Sequence, residues 1–420
     1  MALASSAFYP KARSDGRSLG LPDARIAVFT HPLGGLSDQQ LIERAVKLYE
    51  SVREQLRKTP ATVQPQAAPS AQRVSVPADP AQLQQWFFER QWSDGLPLIA
   101  PTPVAVAAMV AGSGRAAGEL IGVMPPRGGL ATVEQIAVNA VMAGCRPQYM
   151  PVLIAAVDAM LDPAFNLASV QATTHPVAPL LIVHGPIART LQMNAGAGTF
   201  GPGSMANAVI GRAVRLILWN IGGAIAGAAD RSTQGAPSKF SFCIAENSDA
   251  SPWGPFVTER GLPADTDAVT VFGGEPPHNI NDHEHGDAEG ILHVAADVLR
   301  TLGGNPWFIA WHGRKQVMLI LGPEHAASIA SSGWSLSQVR EFLHRATSRR
   351  HDELARGGMY GMRDWPARFN ALPGEALIPL VPHPEDILVL VAGGEGKHSA
   401  ALPSFGATLA VTRPIVRGAT

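Results

Sequence analysis

Two stretches of this 420-residue chain repeat one pattern, and that repetition limits the available folds more than any other feature. AVDAMLDPAFNLASVQATTHPVAPLLIVHGPIARTL (156–191) aligns with AADVLRTLGGNPWFIAWHGRKQVMLILGPEHAASI (295–329). In each, a helical apolar period leads to a short continuous apolar run, then to Gly-Pro and a second helical segment. Continuous runs of that length suit strands covered on both faces, and helices between them supply the cover. A second correspondence sets GVMPPRGGLATVEQIAVNAVMAG (122–144) against TVFGGEPPHNINDHEHGDAEGILH (270–293) through their Pro-Pro pairs. The expected fold is therefore α/β, with an internally duplicated core whose halves are related by a pseudo-twofold. In that arrangement Arg127 and His278, each beside its prolines, face a common cleft.

Composition narrows the function classes. Hydrophobic residues make up 46% of the chain, enough for one large core or two ordinary ones. Lys+Arg number 33 against Asp+Glu 34, so no global field draws in nucleic acid or an anionic membrane. The longest apolar run, 208–229, contains Arg212 and Arg215, which suits a buried helix better than a membrane span. Cys145 and Cys243 lie far apart and form no C-x-x-C, which argues against a disulfide framework and a thiolate zinc site. A reducing cytoplasm is the expected compartment. The opening MALASSAFYPKARSDGR has no continuous apolar segment, and no secretory signal is read there.

Three regions follow from the pattern of breaks. Residues 1–58 carry a buried-type strand, RIAVFT, and a helix opened by Ser37 with Gln40 three residues on, a capping-box spacing. Its apolar positions Leu41, Ala45, Leu48, Val52 and Leu56 keep helical period, yet one strand and one helix cannot bury that face alone. A partner is expected to cover it. Residues 59–80, rich in Pro, Ala, Gln and Ser, read as a linker. Residues 81–420 form the dense, catalytic region, which ends in a strand at 386–391 running into AGGEGKHSA.

The richest chemistry lies in PPHNINDHEHGDAEGILH (276–293), with four histidines and four carboxylates in eighteen positions. A strand ending near Phe272, a polar loop, and a helix from near Asp287 to Leu299 are expected. His278, Asp282 and His283 are candidate catalytic residues, Asp282 orienting His283 as acid–base. Alternatively His278, His283 and His285 bind a divalent metal, or the segment is a solvated helix start. Cys145, followed by Arg146, is a candidate nucleophile, with a buried packing role as the alternative. Candidate substrate contacts are Arg127, Asn279, Lys397 and His398 as polar or anion-holding groups, with Ser399 beside them. Ser204 at a helix start and the polar insertion Thr174–His175 complete the set. GAGTFG (196–201) matches G-x-G-x-x-G but follows no strand and has no closing acidic residue, so no nucleotide cofactor is expected.

DGLPLIAPTP, MPPRGGLATVEQIAVNAVMAGCRP, VQATTHPVAPLLIVHGPIA, FCIAENSDASPW, PPHNINDH and GGEGKHSA together resemble the large domain of the UGSC group of selenoprotein-related proteins, over residues 80–415. That group takes its name from a Sec/Cys-Gly-Ser-Cys motif in an accompanying small domain. The segment LPDARIAVFTHPLGGLSDQQLIERAVKLYESV resembles the closing part of that small domain, but this chain contains no such motif. The resemblance implies a heteromeric, oligomeric enzyme with thiol- or selenol-linked redox or group-transfer chemistry on a small polar metabolite. A second subunit would carry the thiol motif. Metal-dependent hydrolysis or lyase chemistry, and a noncatalytic scaffold that docks the partner, are the alternatives.

Overall fold

The computed structural model describes residues 2–18, 23–32, 36–57, 73–301, 303–307, 315–356 and 372–416. At the N-terminus β1 (Ala2–Ser5), α1 (Tyr9–Ser18), β2 (Ile26–Phe29) and α2 (Asp38–Arg57) make a βαβα unit in which β1 and β2 pair in parallel. The capping box at α2 is formed in both directions. Gln40 N–H donates to Ser37 Oγ at 3.3 Å, and Ser37 N–H donates to Gln40 Oε1 at 2.9 Å. No side chain of α2 is buried. Most of the expected 59–80 linker lies outside the described residues; its last residue, Pro80, already opens a helix capped by Asp79.

Beyond it come α3 (Pro80–Glu89), α4 (Pro103–Ser113), a hairpin of β3 (Leu120–Met124) and β4 (Gly129–Thr132), α5 (Val133–Ala143), α6 (Met150–Leu161) and α7 (Leu167–Ala172). The chain then runs through β5 (Ala178–His184), α8 (Pro186–Thr190), α9 (Met205–Asn220), β6 (Cys243–Ala245), β7 (Ala268–Gly274) and β8 (His278–Asn281). After α10 (Ala288–Leu299), β9 (Val317–Leu321), α11 (Pro323–Ser331) and α12 (Leu336–Ala346) there is a small excursion of β10 (Arg349–Arg350), α13 (His351–Arg356) and β11 (Leu377–Ile378). It closes with β12 (Ile387–Val391), β13 (His398–Leu402) and β14 (Val411–Pro414).

Two four-stranded sheets organise this α/β body, in the orders β6-β5-β7-β14 and β12-β9-β13-β8. Both have one parallel pair followed by two antiparallel ones. Each sheet lends its last strand to the other: β7 continues into β8 of the second sheet, and β13 into β14 of the first. The two exchanged segments meet antiparallel at Gly274 and Ser404, where Glu275 N–H donates to Pro403 O and Phe405 N–H to Gly273 O.

Strand alternation sorts the apolar side chains into layers. Leu180, Ile182 and Phe272 of the first sheet share a cluster with Met318, Ile320, Leu388 and Leu390 of the second, so the sheets pack face to face. Leu181, Val183 and Val271 point the other way, into α5, α6 and α9, while Leu319, Val389 and Ala401 point into α10, α11 and α12. The result is an α/β/β/α sandwich. Fully enclosed leucines and isoleucines contribute about 1.5–3 kcal/mol each, which makes this sandwich a rigid support for its polar rim.

Two expectations need correcting here. The Pro-Pro correspondence is out of step. By position α10, packed on β8 and β13, matches α6, packed on β14 and β7, whereas Pro125 and Pro126 turn the β3–β4 hairpin outside both sheets. And 278–281 is not loop but the edge strand β8, made so by pairing with β13 more than a hundred residues away.

Candidate functional site

At the carboxyl ends of β8, β9 and β12 the NDH and GKHS segments come together. Antiparallel register sets His398 opposite Asn281, so their side chains and those of Asn279 and His283 share one face. On that face Asn279 Oδ1 accepts a hydrogen bond from His398 Nδ1 at 3.1 Å. The Nε2 atoms of His398 and His283 lie 3.4 Å apart, with the two rings edge to face. Both rings are exposed to solvent. Lys397 Nζ, expected to hold an anion, donates to the carbonyls of His283 and His285 at 3.3 and 3.4 Å and ties the loop down.

Beneath this pair sits His325, which is fully buried and which sequence reasoning did not single out. Its Nε2–H donates to the Asp282 carbonyl at 3.0 Å; a carbonyl only accepts, so Nδ1 takes the hydroxyl hydrogen of Ser399 at 2.8 Å. Ser399 Oγ in turn accepts from Gly322 N–H at 3.1 Å. One imidazole thus joins the end of β8, β13 and the start of α11. Ser399, expected to touch substrate, is spent inside. A second tie runs from Gly396 N–H to Glu324 Oε1 at 2.7 Å. The only sequence signal for His325 was its place in G-P-E-H, the first turn of a helix after a buried strand.

Asp282 does not orient His283. Strand alternation turns it to the buried side, where its carboxylate accepts from the His285 ring at 3.0 Å and from the Glu284 and His285 amides at 3.2 Å. Burial opposes its charge, but the His285 amide and ring and the Glu284 amide outweigh that and hold the carboxyl below its usual range. A carboxyl favoured as carboxylate in the folded state adds stability above the ordinary range and loses it as pH falls through its lowered value. The urea midpoint of the native chain should therefore exceed that of Asp282→Asn most clearly above about pH 5, and the gap should close toward about pH 3.

The expected metal set does not assemble. His278 opens β8 while His283 lies in the bend beyond its far end, and His285 is turned back onto Asp282. Among the described residues no three His, Cys, Asp or Glu side chains converge on one point. Cys145 packs against the first turns of α9. Its Sγ donates to Val209 O at 3.3 Å, and burial pushes its thiol up rather than activating it as a thiolate; Cys243 is raised for the same reason.

The remaining candidates are dispersed. Arg127 is exposed at the hairpin, its N–H donating to Gly222 O at 2.7 Å at the carboxyl end of α9. The rim begins at the other end of that helix, about 24 Å away, where Gly393 N–H donates to Ala195 O. The length of α9 thus separates Arg127 from the His283–His398 rim. Ser204 is used as the α9 cap, as its position suggested, accepting from Asn207 N–H at 3.3 Å. Thr174 accepts from Thr233 N–H through its carbonyl, and His175 Nε2 contacts Glu275 Oε1 at 2.8 Å near the strand exchange.

The first sheet has its own buried polar group at the corresponding carboxyl edge. His184 Nδ1 donates to Glu246 Oε2 at 2.6 Å, and His184 Nε2 lies 2.8 Å from Thr270 Oγ1, itself 2.8 Å from Thr412 Oγ1. Phe256 stacks on the imidazole, and its N–H donates to Glu246 Oε1 at 2.7 Å. Enclosed in this way, the group has no route to a substrate and acts as a brace. Only the second sheet leaves its histidines open to ligand.

No family model, curated protein or solved structure matches the chain. No single helix among the described residues is long and apolar enough to cross a membrane.

Proposed function

We propose that this chain is the substrate-binding subunit of a two-component enzyme. In this reading a small polar metabolite meets the Asn279–His398–His283 face, and a second, UGSC-like subunit brings the thiol or selenol for redox or group transfer, in the cytoplasm. One observation carries the proposal: two polar motifs, their histidines 115 residues apart, place His283 and His398 Nε2 within 3.4 Å at an open sheet edge. Open α/β sheets bind ligands at the carboxyl ends of their strands, and two exposed imidazoles there have no structural task that burial would explain.

Two further features support the second component. Burial raises both thiols of this chain, which favours a thiol or selenol brought by another subunit. In addition, α2 exposes Ile42, Val46, Tyr49 and Leu56, each 56–64% accessible, which with Arg53 are spaced 4, 3, 4, 3 as in a helix-pairing seam. A crevice of about 440 Å³ lined by Ser5, Phe8, Lys11, Phe29 and His31 opens beside the two-stranded sheet. Such a sheet is marginal without further strands or cover.

The test has two arms. Thermal-shift screening with small carboxylates, amino acids and phosphates should find a ligand that raises the melting temperature of the native chain but not of His283→Ala or His398→Ala. Equal shifts in the variants would remove the site. Purification of the tagged chain from its native cells should bring a Sec/Cys-Gly-Ser-Cys polypeptide that Val46→Glu releases; a chain that purifies alone and is active alone would remove the partner.

A further inference from the structure

We infer that His283 and His398 hold a divalent cation between their Nε2 atoms, and that the substrate meets the site through that ion. The inference rests on reading this rim as the functional site, and it names what the imidazole pair does there. It concerns a different set of residues from the His278/His283/His285 trio, which the fold separates.

The geometry has three parts. First, the two Nε2 atoms are 3.4 Å apart in a long hydrogen bond, whose shared hydrogen a cation would replace. Tetrahedral Zn²⁺ with Zn–N bonds of about 2.0–2.1 Å sets two ligand nitrogens about 3.3–3.4 Å apart, so the pair already has the bite of one ion. An octahedral ion of similar bond length needs neighbouring ligands at about 3.0 Å, a poorer fit.

Second, the tautomer is set. Asn279 Oδ1 can only accept, so His398 carries its hydrogen on Nδ1 and presents a bare Nε2 lone pair to the gap. An outer-shell acceptor on the remote ring nitrogen is the usual companion of a histidine ligand, because it fixes the ring and raises its basicity. Third, the backbone beneath both rings is held. His325 binds Asp282 O, next to His283, and Ser399, next to His398, while Lys397 clamps the His283 carbonyl. A site whose ligands come from two strands needs that support to keep its bite.

Two protein ligands leave the other positions to water and to the substrate. That is one protein ligand fewer than the three usual at catalytic zinc, and the more open sphere favours a substrate bearing a carboxylate or similar oxygen donor. A cation at this edge would also supply the positive charge that Lys397, occupied with backbone carbonyls, does not aim outward.

Zinc binding to the full chain, measured by isothermal titration calorimetry in a non-chelating buffer, tests this directly. The expected result is one Zn²⁺ per chain, lost in His283→Ala and in His398→Ala and weakened about 10–100-fold in Asn279→Ala. His278→Ala and His293→Ala, exposed histidines outside the pair, should bind as the native chain does. Unchanged melting temperatures in the ion-free variants would show that the losses are local. Absence of saturable binding, or equal binding by the His283 and His398 variants, overturns the cation. Neither result touches the ligand-induced thermal shift, which tests the rim itself.

Discussion

Replacing Glu246 with alanine will cost the fold about 3–5 kcal/mol, the usual result of removing one member of a buried pair. The His184 and Glu246 side chains are 0% and 2% accessible, and they meet at 2.6 Å. Without the carboxylate, the His184 Nδ1 hydrogen and the Phe256 amide both lose their acceptor in a space that water does not reach freely. Glu246→Gln keeps the volume and one acceptor oxygen, so its loss should be clearly smaller. Guanidinium unfolding of the three proteins decides the matter. An alanine variant within about 1 kcal/mol of the native chain would show that this brace does not contribute as its geometry implies.

The second large effect is expected at His325. His325→Ala strands the Asp282 carbonyl and the Ser399 hydroxyl in the interior, each costing about 1–3 kcal/mol, for a total of about 2–6 kcal/mol. Stability is only half of the prediction. Because His325 joins the strands that carry His283 and His398 without touching either ring, its loss should also weaken zinc binding and the ligand-induced thermal shift at least tenfold. A purely structural role would lower the melting temperature and leave both affinities where they were, provided they are measured well below unfolding. His325→Gln, able to bridge the same two groups in part, should recover some of each.

Local features were readable from the chain. The Ser37–Gln40 box, the Ser204 cap and the Asp287 cap depend on groups three residues apart, and all three are formed. The runs at 26–29, 268–274 and 387–391 are strands because continuous apolar segments bounded by Gly, Pro and Asp have few other ways to be buried. The helix over 288–299 follows from its apolar period and its cap.

What stayed hidden depended on partners distant in sequence. The strand β8 reads HNIN, with no apolar alternation of its own, and becomes a strand because β13 offers it hydrogen bonds. Asp282 and His283 are adjacent in sequence and so on opposite faces, a separation that proximity in the chain conceals. His184 and His325 looked like single polar residues at the ends of apolar runs. Their partners come from strands or turns 62 to 86 and 43 to 74 positions away.

The amino-acid order alone determined the α/β class, the caps and the apolar runs that become the inner strands, because helix starts and strand burial depend on neighbours within one turn or one pleat. Tertiary structure alone decided the exchange of β8 and β14 between sheets, the burial of both thiols and the meeting of His283 with His398. Those outcomes rest on hydrogen bonds and packing between segments up to a hundred or more residues apart, whose register no local pattern encodes.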